Sequence, residues 1–198
     1  MSLVPIGMSV YTRVEHFKRA IGALQNNVLA DQSELFIYSD AASRKEDELL
    51  VHEVRAFAHE ISGFNRVHVI ERERNYGGRQ NSWLAWKDVS GKRSDGRSIY
   101  LEDDIVAAPG FISFMNQALD FYQNDENIVS ITGYCPPIKI PDDYAEDVFV
   151  LPRASGWGMG GYNRTVDIAS KKIDKTEFEK ITNKKIFSVG GQDILEKI

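Results

Sequence analysis

The chain reads as an α/β protein, a Rossmann-like and mostly parallel central sheet with helices on its faces. Three observations predict this. Short apolar runs alternate with stretches of helical periodicity through the first 120 residues. Two of those runs end on acids, Ser39-Asp40 and Leu101-Glu102-Asp103-Asp104. No internal repeat, low-complexity tract or linker interrupts the alternation.

Taken in order, residues 4–11 form the first strand, and Thr12 with Glu15 then makes a capping-box pattern. Val14, Phe17, Ile21, Leu24 and Val28 follow at helical spacing. Residues 34–40 are the second strand. Ser43 and Glu46 repeat the capping pattern, and Leu50, Val54, Phe57 and Ile61 carry a helix stripe that stops at Gly63. Residues 66–71 alternate as a third strand. The loop Arg74-Asn75-Tyr76-Gly77-Gly78-Arg79 leads into a short helix holding Trp83 and Trp86.

After the acidic strand at 98–102, Phe111, Phe114, Met115, Ala118, Leu119 and Tyr122 mark a further buried helix face. Residues 128–131 and 148–151 read as later strands, with a loop carrying Pro136, Pro137 and Pro141 between them. The glycine-rich segment Ser155 to Tyr162 fits neither a helix nor a central strand.

Composition narrows the function classes. A length of 198 residues suits one domain with a real core, and the hydrophobic and charged fractions are those of a globular protein. A net charge of -5 argues against a general nucleic-acid binder. No apolar run approaches the roughly 20 residues that span a bilayer, and no signal peptide is visible. Cys135 is the single cysteine, so no intrachain disulfide or cysteine-rich zinc site can form. Its default role is a small, half-buried apolar residue. A reducing cytoplasm is the simplest compartment, with peripheral attachment at the inner membrane surface left open.

The chemistry concentrates in Glu102-Asp103-Asp104. In open α/β sheets ligands bind outside the carboxyl ends of strands, where these acids surface. Adjacent carboxylates repel, and a divalent cation relieves them. Hard oxygen ligands suit Mg²⁺ or Mn²⁺, which take one or two carboxylates plus substrate phosphates. A solvated acidic turn is the plainer alternative. Asp40 ends its strand as Glu102 does and can line the same crevice, or it can cap the turn that follows. The 74–79 loop pairs guanidiniums with glycines beside a helix start, which suits phosphate, although Asn-Tyr-Gly-Gly is also an ordinary turn.

Gly156-Trp157-Gly158-Met159-Gly160-Gly161 makes either a close-fitting wall for a sugar face or an aromatic-packed bend. Asp193 follows the Gly190-Gly191 pair and is either a helix cap or a site acid. The four histidines show no ligand spacing, and His52 and His59 fall on the exposed side of their helix.

Together these pieces resemble the GT-A glycosyltransferases, particularly family-2-like enzymes and the N-acetylglucosaminyltransferase I type. The matching runs are Pro5 to Arg13, Ser39-Asp40, Arg74 to Gly77, Tyr100 to Asp104 with Ala108-Pro109-Gly110-Phe111, Gly156-Trp157-Gly158, and Asp193, in the family's order. The resemblance implies a metal-dependent enzyme that moves a hexosyl or N-acetylhexosaminyl group from a nucleotide-diphosphate sugar to a hydroxyl of a glycan, lipid-linked or other acceptor. It makes Glu102-Asp103-Asp104 the family's DxD-type motif, with Asp104 on Mn²⁺ or Mg²⁺ and Glu102 and Asp103 orienting ribose and metal-bound water.

It also implies that Asp40 faces the base with Val10, Tyr11 and Arg13 beside it, and that Arg74 holds the nucleotide. Trp157 and Gly158 border the sugar, and Asp193 is the general base of an inverting transfer. The expected organisation is one domain over 1–198, short or cut off on its acceptor side because the usual continuation after Asp193 is absent. A sugar-phosphate nucleotidyltransferase is the competing enzyme, and a Mg²⁺-binding receiver domain is the non-enzymatic alternative. The first lacks its Gly-rich basic loop after strand one, and the second has no use for the tryptophan-glycine wall.

Overall fold

The computed structural model describes residues 3–135 and 137–171. The chain runs β1 (Ile6–Val10), α1 (Val14–Gln25), β2 (Glu34–Ser39), α2 (Glu48–Glu60), β3 (Arg66–Glu71), α3 (Gly78–Ser90), β4 (Ser98–Glu102), α4 (Phe111–Phe121), β5 (Ser130–Thr132), β6 (Met159–Gly161) and α5 (Asn163–Ser170). The strands form one sheet in the order β3-β2-β1-β4-β6-β5. β1 to β4 are mutually parallel, with Met8 beside Ile37 and Leu101. β6 runs antiparallel to both β4 and β5. The predicted α/β class with a mostly parallel sheet is therefore what the chain adopts.

β1 is buried at every position and β4 at all but Glu102, as expected for strands covered on both faces. Alternation sorts the side chains. Ile6, Met8, Leu35, Ile37, Ile99 and Leu101 meet Phe17, Ile21 and Leu24 of α1, Val54 of α2, and Ile112, Met115 and Leu119 of α4. Phe36, Tyr38 and Tyr100 face the other way, onto Ala85, Trp86 and Val89 of α3. Gly7 lets α3 come close, since a Cβ there would lie 2.9 Å from Val89 Cγ1.

Several local expectations are corrected. Neither capping box forms at Thr12 or Ser43: α1 is preceded by Arg13 without a side-chain cap, and α2 by a 3₁₀ turn at Lys45–Asp47. The Ser43 hydroxyl is instead drawn to the Asp47 carboxylate at 3.1 Å. The helix stripes shift by a residue or stop early. Val51 and Ala58 are buried in α2 while Leu50 is exposed, Val28 lies beyond α1 in solvent, and Phe114 gives way to Ile112 in α4. Residues 148–151 form no strand, and Cys135 is exposed rather than half-buried.

The largest correction concerns the glycines. Met159–Gly161 is a strand, and an inner one, inserted between β4 and β5. Glycine weakens an isolated strand, but here the missing side chains make room. A Cβ on Gly160 would stand 2.9 Å from Met115 Cε and 3.0 Å from Leu119 Cδ1 of α4. One on Gly161 would press on Thr165 and Trp86 from the opposite face. Among the described residues no helix is long and apolar enough to cross a membrane.

Candidate functional site

The strand order reverses between β1 and β4: β2 and β3 lie to one side, β6 and β5 to the other. Parallel sheets open a crevice at such a switch point, at the carboxyl ends of the strands. Here it is a cavity of about 640 Å³, bordered by Ser9 to Arg13 at the end of β1 and beyond it, Asp40 after β2, Gly78, Arg79 and Ser82 of α3, and Glu102 and Asp103 at the end of β4. A second cavity of about 760 Å³ adjoins it, formed by Glu102, Asp104, Ile105, Ala107, Phe111, Phe114, Tyr134 and Trp157 among others. Glu102 borders both.

The loop after β1 is held from two sides. Tyr11 accepts the Ser43 N–H at 3.0 Å and donates to Asp47 Oδ2 at 2.9 Å. Asp47 is gripped in turn by Arg44, whose guanidinium, with the Tyr11 and Ser43 hydroxyls, keeps this carboxyl below its ordinary range. On the other side Arg13 reaches the acids. Its Nη2 donates to Asp103 and its Nη1 to Asp104 Oδ2 at 3.0 Å. Asp103 is almost wholly buried, whereas Asp104 and Arg13 stay partly in solvent.

Electrostatics mark the cluster as strained by like charge. Burial raises the Glu102 pKa, and the Asp104 and Asp103 charges raise it further. Burial also lifts Asp103, against the pull of Arg13. Behind Glu102 lies a chain of neutral hydroxyls: Tyr100 and Ser9 at 2.6 Å, then Ser9 and Ser82 at 3.1 Å. Burial pushes the Tyr100 phenol up to about 12, so it keeps its proton.

Asp40 is buried, and protein donors take both its oxygens. Oδ1 accepts the N–H of Ala41 at 3.0 Å and of Tyr76 at 2.9 Å. Oδ2 accepts the N–H of Gly77 at 2.9 Å and Asn75 Nδ2 at 3.3 Å. Its work in this structure is to fasten the 74–77 loop, and through it the start of α3. Gly77 precedes that helix at φ 77°, a left-handed conformation open to glycine.

The structure thus gathers Val10, Tyr11, Arg13, Asp40, Glu102 and Asp103 around one crevice, and Glu102, Asp104 and Trp157 around the next. Arg74 does not border either cavity; its guanidinium lies 4.9 Å from the Tyr76 ring. Arg79, at the start of α3, stands in the crevice instead. The Gly-Gly-Arg run at the helix start was the signal for it. Ser9, Ser82 and Tyr100 were not foreseen, because only the packing of α3 on β1 and β4 brings them together.

Trp157 meets Tyr134 edge to face at 4.6 Å and is 56% exposed. Gly158, at φ 70°, does not border the cavity itself, and its carbonyl accepts the Gly133 N–H at 2.8 Å. It sits against Phe111, whose ring a Cβ would approach to 3.0 Å. Asp193 lies outside the described residues.

The donor set fits a hard dication. Glu102 and Asp104 both line the second cavity, and a cation there would offset the burial and the neighbouring charges that raise Glu102. Among the described residues no group of three His, Cys, Asp or Glu side chains converges as a ready-made cage. Mg²⁺-type sites need fewer, because water and substrate phosphates complete them.

No family model matches the sequence, and no curated protein sequence does. Solved structures are similar in fold. A mannosyltransferase from Pyrobaculum calidifontis, PcManGT, in complex with GDP-Man and Mn²⁺, superposes with a TM-score of 0.55 at 12% identity, over 84% of this chain and 46% of that one. S. aureus TarS 1–349 in complex with UDP gives 0.49 at 13% identity, over 82% and 47% respectively. The chain therefore spans less than half the length of either. At such identities the likeness speaks to architecture alone, and that architecture is GT-A-like.

Proposed function

We propose that this chain binds a nucleotide-diphosphate sugar and takes part in transferring the sugar to an acceptor hydroxyl. One observation carries the reading. Glu102-Asp103-Asp104 emerges at the switch point of the sheet and opens on two cavities at once, one with Arg13 and Arg79, the other bordered by Trp157. The basic compartment suits a diphosphate and the aromatic one its sugar. Support also comes from the likeness in fold to a mannosyltransferase that binds GDP-Man and Mn²⁺.

In this proposal Arg79 and the N-terminal N–H groups of α3 receive the diphosphate, since a helix start and a guanidinium both favour anions. Val10, Tyr11 and the loop fastened by Asp40 border the nucleoside. Asp104, with Glu102 beside it, would hold Mn²⁺ or Mg²⁺. Such an ion neutralises charge that develops on the leaving diphosphate. Trp157 offers a flat apolar face to the sugar ring. Asp193 is proposed as the base that takes the acceptor proton, giving inversion; general bases contribute roughly 10²–10⁴-fold. Hexosyl and N-acetylhexosaminyl donors both remain within the reading, and the N-acetylglucosaminyltransferase I type is its narrower form.

The alternatives gain nothing from the structure. The loop after β1 carries Tyr11-Thr12-Arg13 latched to Asp47, not a glycine-rich phosphate cradle. A receiver domain would give no role to the Trp157 cavity.

Calorimetric titration with UDP- and GDP-sugars, with and without Mn²⁺, tests the proposal. Asp104→Ala is expected to lose the Mn²⁺-dependent part of the affinity, and Trp157→Ala to weaken nucleotide-sugars more than nucleoside diphosphates. Wild-type Mn²⁺ dependence in Asp104→Ala would refute the metal assignment.

A further inference from the structure

Arg13 stands where a cation is electrostatically out of place. It immediately precedes α1, at the end of that helix where the dipole is positive and anions are favoured. What keeps it there is the acid pair. The guanidinium fork spans Asp103 and Asp104, one nitrogen to each, and the Asp103 side chain is only 4% exposed. Asp104 also faces the cavity in which a dication is proposed to sit. A metal ion on that carboxylate, at the roughly 2.0–2.1 Å of Mg²⁺–oxygen bonds, would be pressed against the guanidinium. Two cations then compete for one anion.

Arg13 has another destination within reach, because it borders the same crevice as Arg79 and the start of α3. We infer that Arg13 is a resident counter-ion of the acid pair, displaced when a dication and a nucleoside diphosphate enter together, and then re-paired with the diphosphate. The inference rests on the proposed function and adds a thermodynamic consequence. A dication alone takes Asp104 from the fork and leaves the guanidinium with Asp103 only. A dication with a diphosphate supplies the new partner. Metal and nucleotide therefore bind with positive coupling, and the coupling is reciprocal. Guanidinium suits both roles, since carboxylate and phosphate accept the same planar fork.

The test titrates the full 198-residue chain with Mn²⁺ alone, then with UDP or GDP present, counting bound ion by paramagnetic resonance against a protein-free nucleotide blank. In wild type, Mn²⁺ alone is expected to bind weakly and to tighten when diphosphate is added. R13Q is expected to bind Mn²⁺ alone at least tenfold tighter than wild type, and its tightening by diphosphate should shrink by a similar factor. R13K keeps the charge but not the fork, and should fall between the two. If circular dichroism shows R13Q unfolded, R13K decides the matter.

Mn²⁺ affinity in the decisive variant equal to or weaker than wild type, while wild type binds Mn²⁺ with a diphosphate, overturns the counter-ion assignment alone. Wild type binding no Mn²⁺ with either diphosphate overturns the proposed function, and the counter-ion assignment with it.

Discussion

Replacing Asp40 by Asn keeps the size of the side chain and removes half of its accepting capacity. The carboxylate holds four donors, at 2.9 to 3.3 Å: the N–H groups of Ala41, Tyr76 and Gly77, and the Asn75 amide. With the amide oxygen turned to Ala41 and Tyr76, the new NH₂ faces the Gly77 N–H and the Asn75 Nδ2, donor against donor. A hydrogen bond to a charged group is worth about 1.5–3 kcal/mol, and a buried donor left unmade costs about 1–3 kcal/mol. The Asn75 amide can turn to water or keep its 2.7 Å bond to the Ala41 carbonyl, so the Gly77 bond dominates. The expected loss is about 2–3 kcal/mol.

For a chain of this size that lowers the thermal midpoint by roughly 5–10 °C. Urea unfolding gives the free energy, and amide exchange at Tyr76 and Gly77 reports whether the loss is local. Loss of less than about 0.5 kcal/mol, or unchanged protection at Gly77, would show that Asp40 does not fasten the loop. The same variant should bind nucleotide more weakly, because Gly78 and Arg79 follow that loop into the crevice.

Two further outcomes are expected. Folded Glu102 holds its proton to higher pH than the unfolded chain does. As pH rises through the unfolded value and then the folded one, the unfolded state gives up its proton first, so wild-type stability falls, and the deficit is complete above the folded pKa. Glu102→Gln should therefore gain in thermal midpoint over wild type between pH 4 and pH 7, and a difference that is flat with pH would contradict this. Gly160→Ala drives a methyl group into Met115 and Leu119 and should cost about 1–3 kcal/mol by urea unfolding. A neutral result would mean that the Met115 and Leu119 side-chain ends swing aside without cost.

The parallel half of the sheet was legible because β1, β2 and β4 are short apolar runs, β3 alternates, and the helices show helical spacing even where single positions shift. Ile6 to Val10, Leu35 to Tyr38 and Ile99 to Leu101 announce burial on both faces. The antiparallel end was not legible, since hydrophobic period cannot be read from Met159-Gly160-Gly161. Its strand character comes from the space that Met115, Leu119, Trp86 and Thr165 require, which only the tertiary structure defines. The acid run was visible as a site, and Asp40 and Arg13 were visible as neighbours of it. Their partners were not. Arg13 and Asp103 are ninety positions apart in sequence, and Asp40 and Gly77 thirty-seven. No local pattern encodes a pairing over that distance.

The insertion of β6 between β4 and β5 also constrains how the molecule is made. On a ribosome, residues 98–102 and 130–132 emerge well before 159–161, so the outer margin of β4 stays without its neighbour while nearly sixty more residues are synthesised. During that interval the nascent chain presents bare backbone donors and acceptors, a surface that invites pairing with other chains. A pause in translation shortly before residue 159 should therefore promote aggregation of the partly made protein.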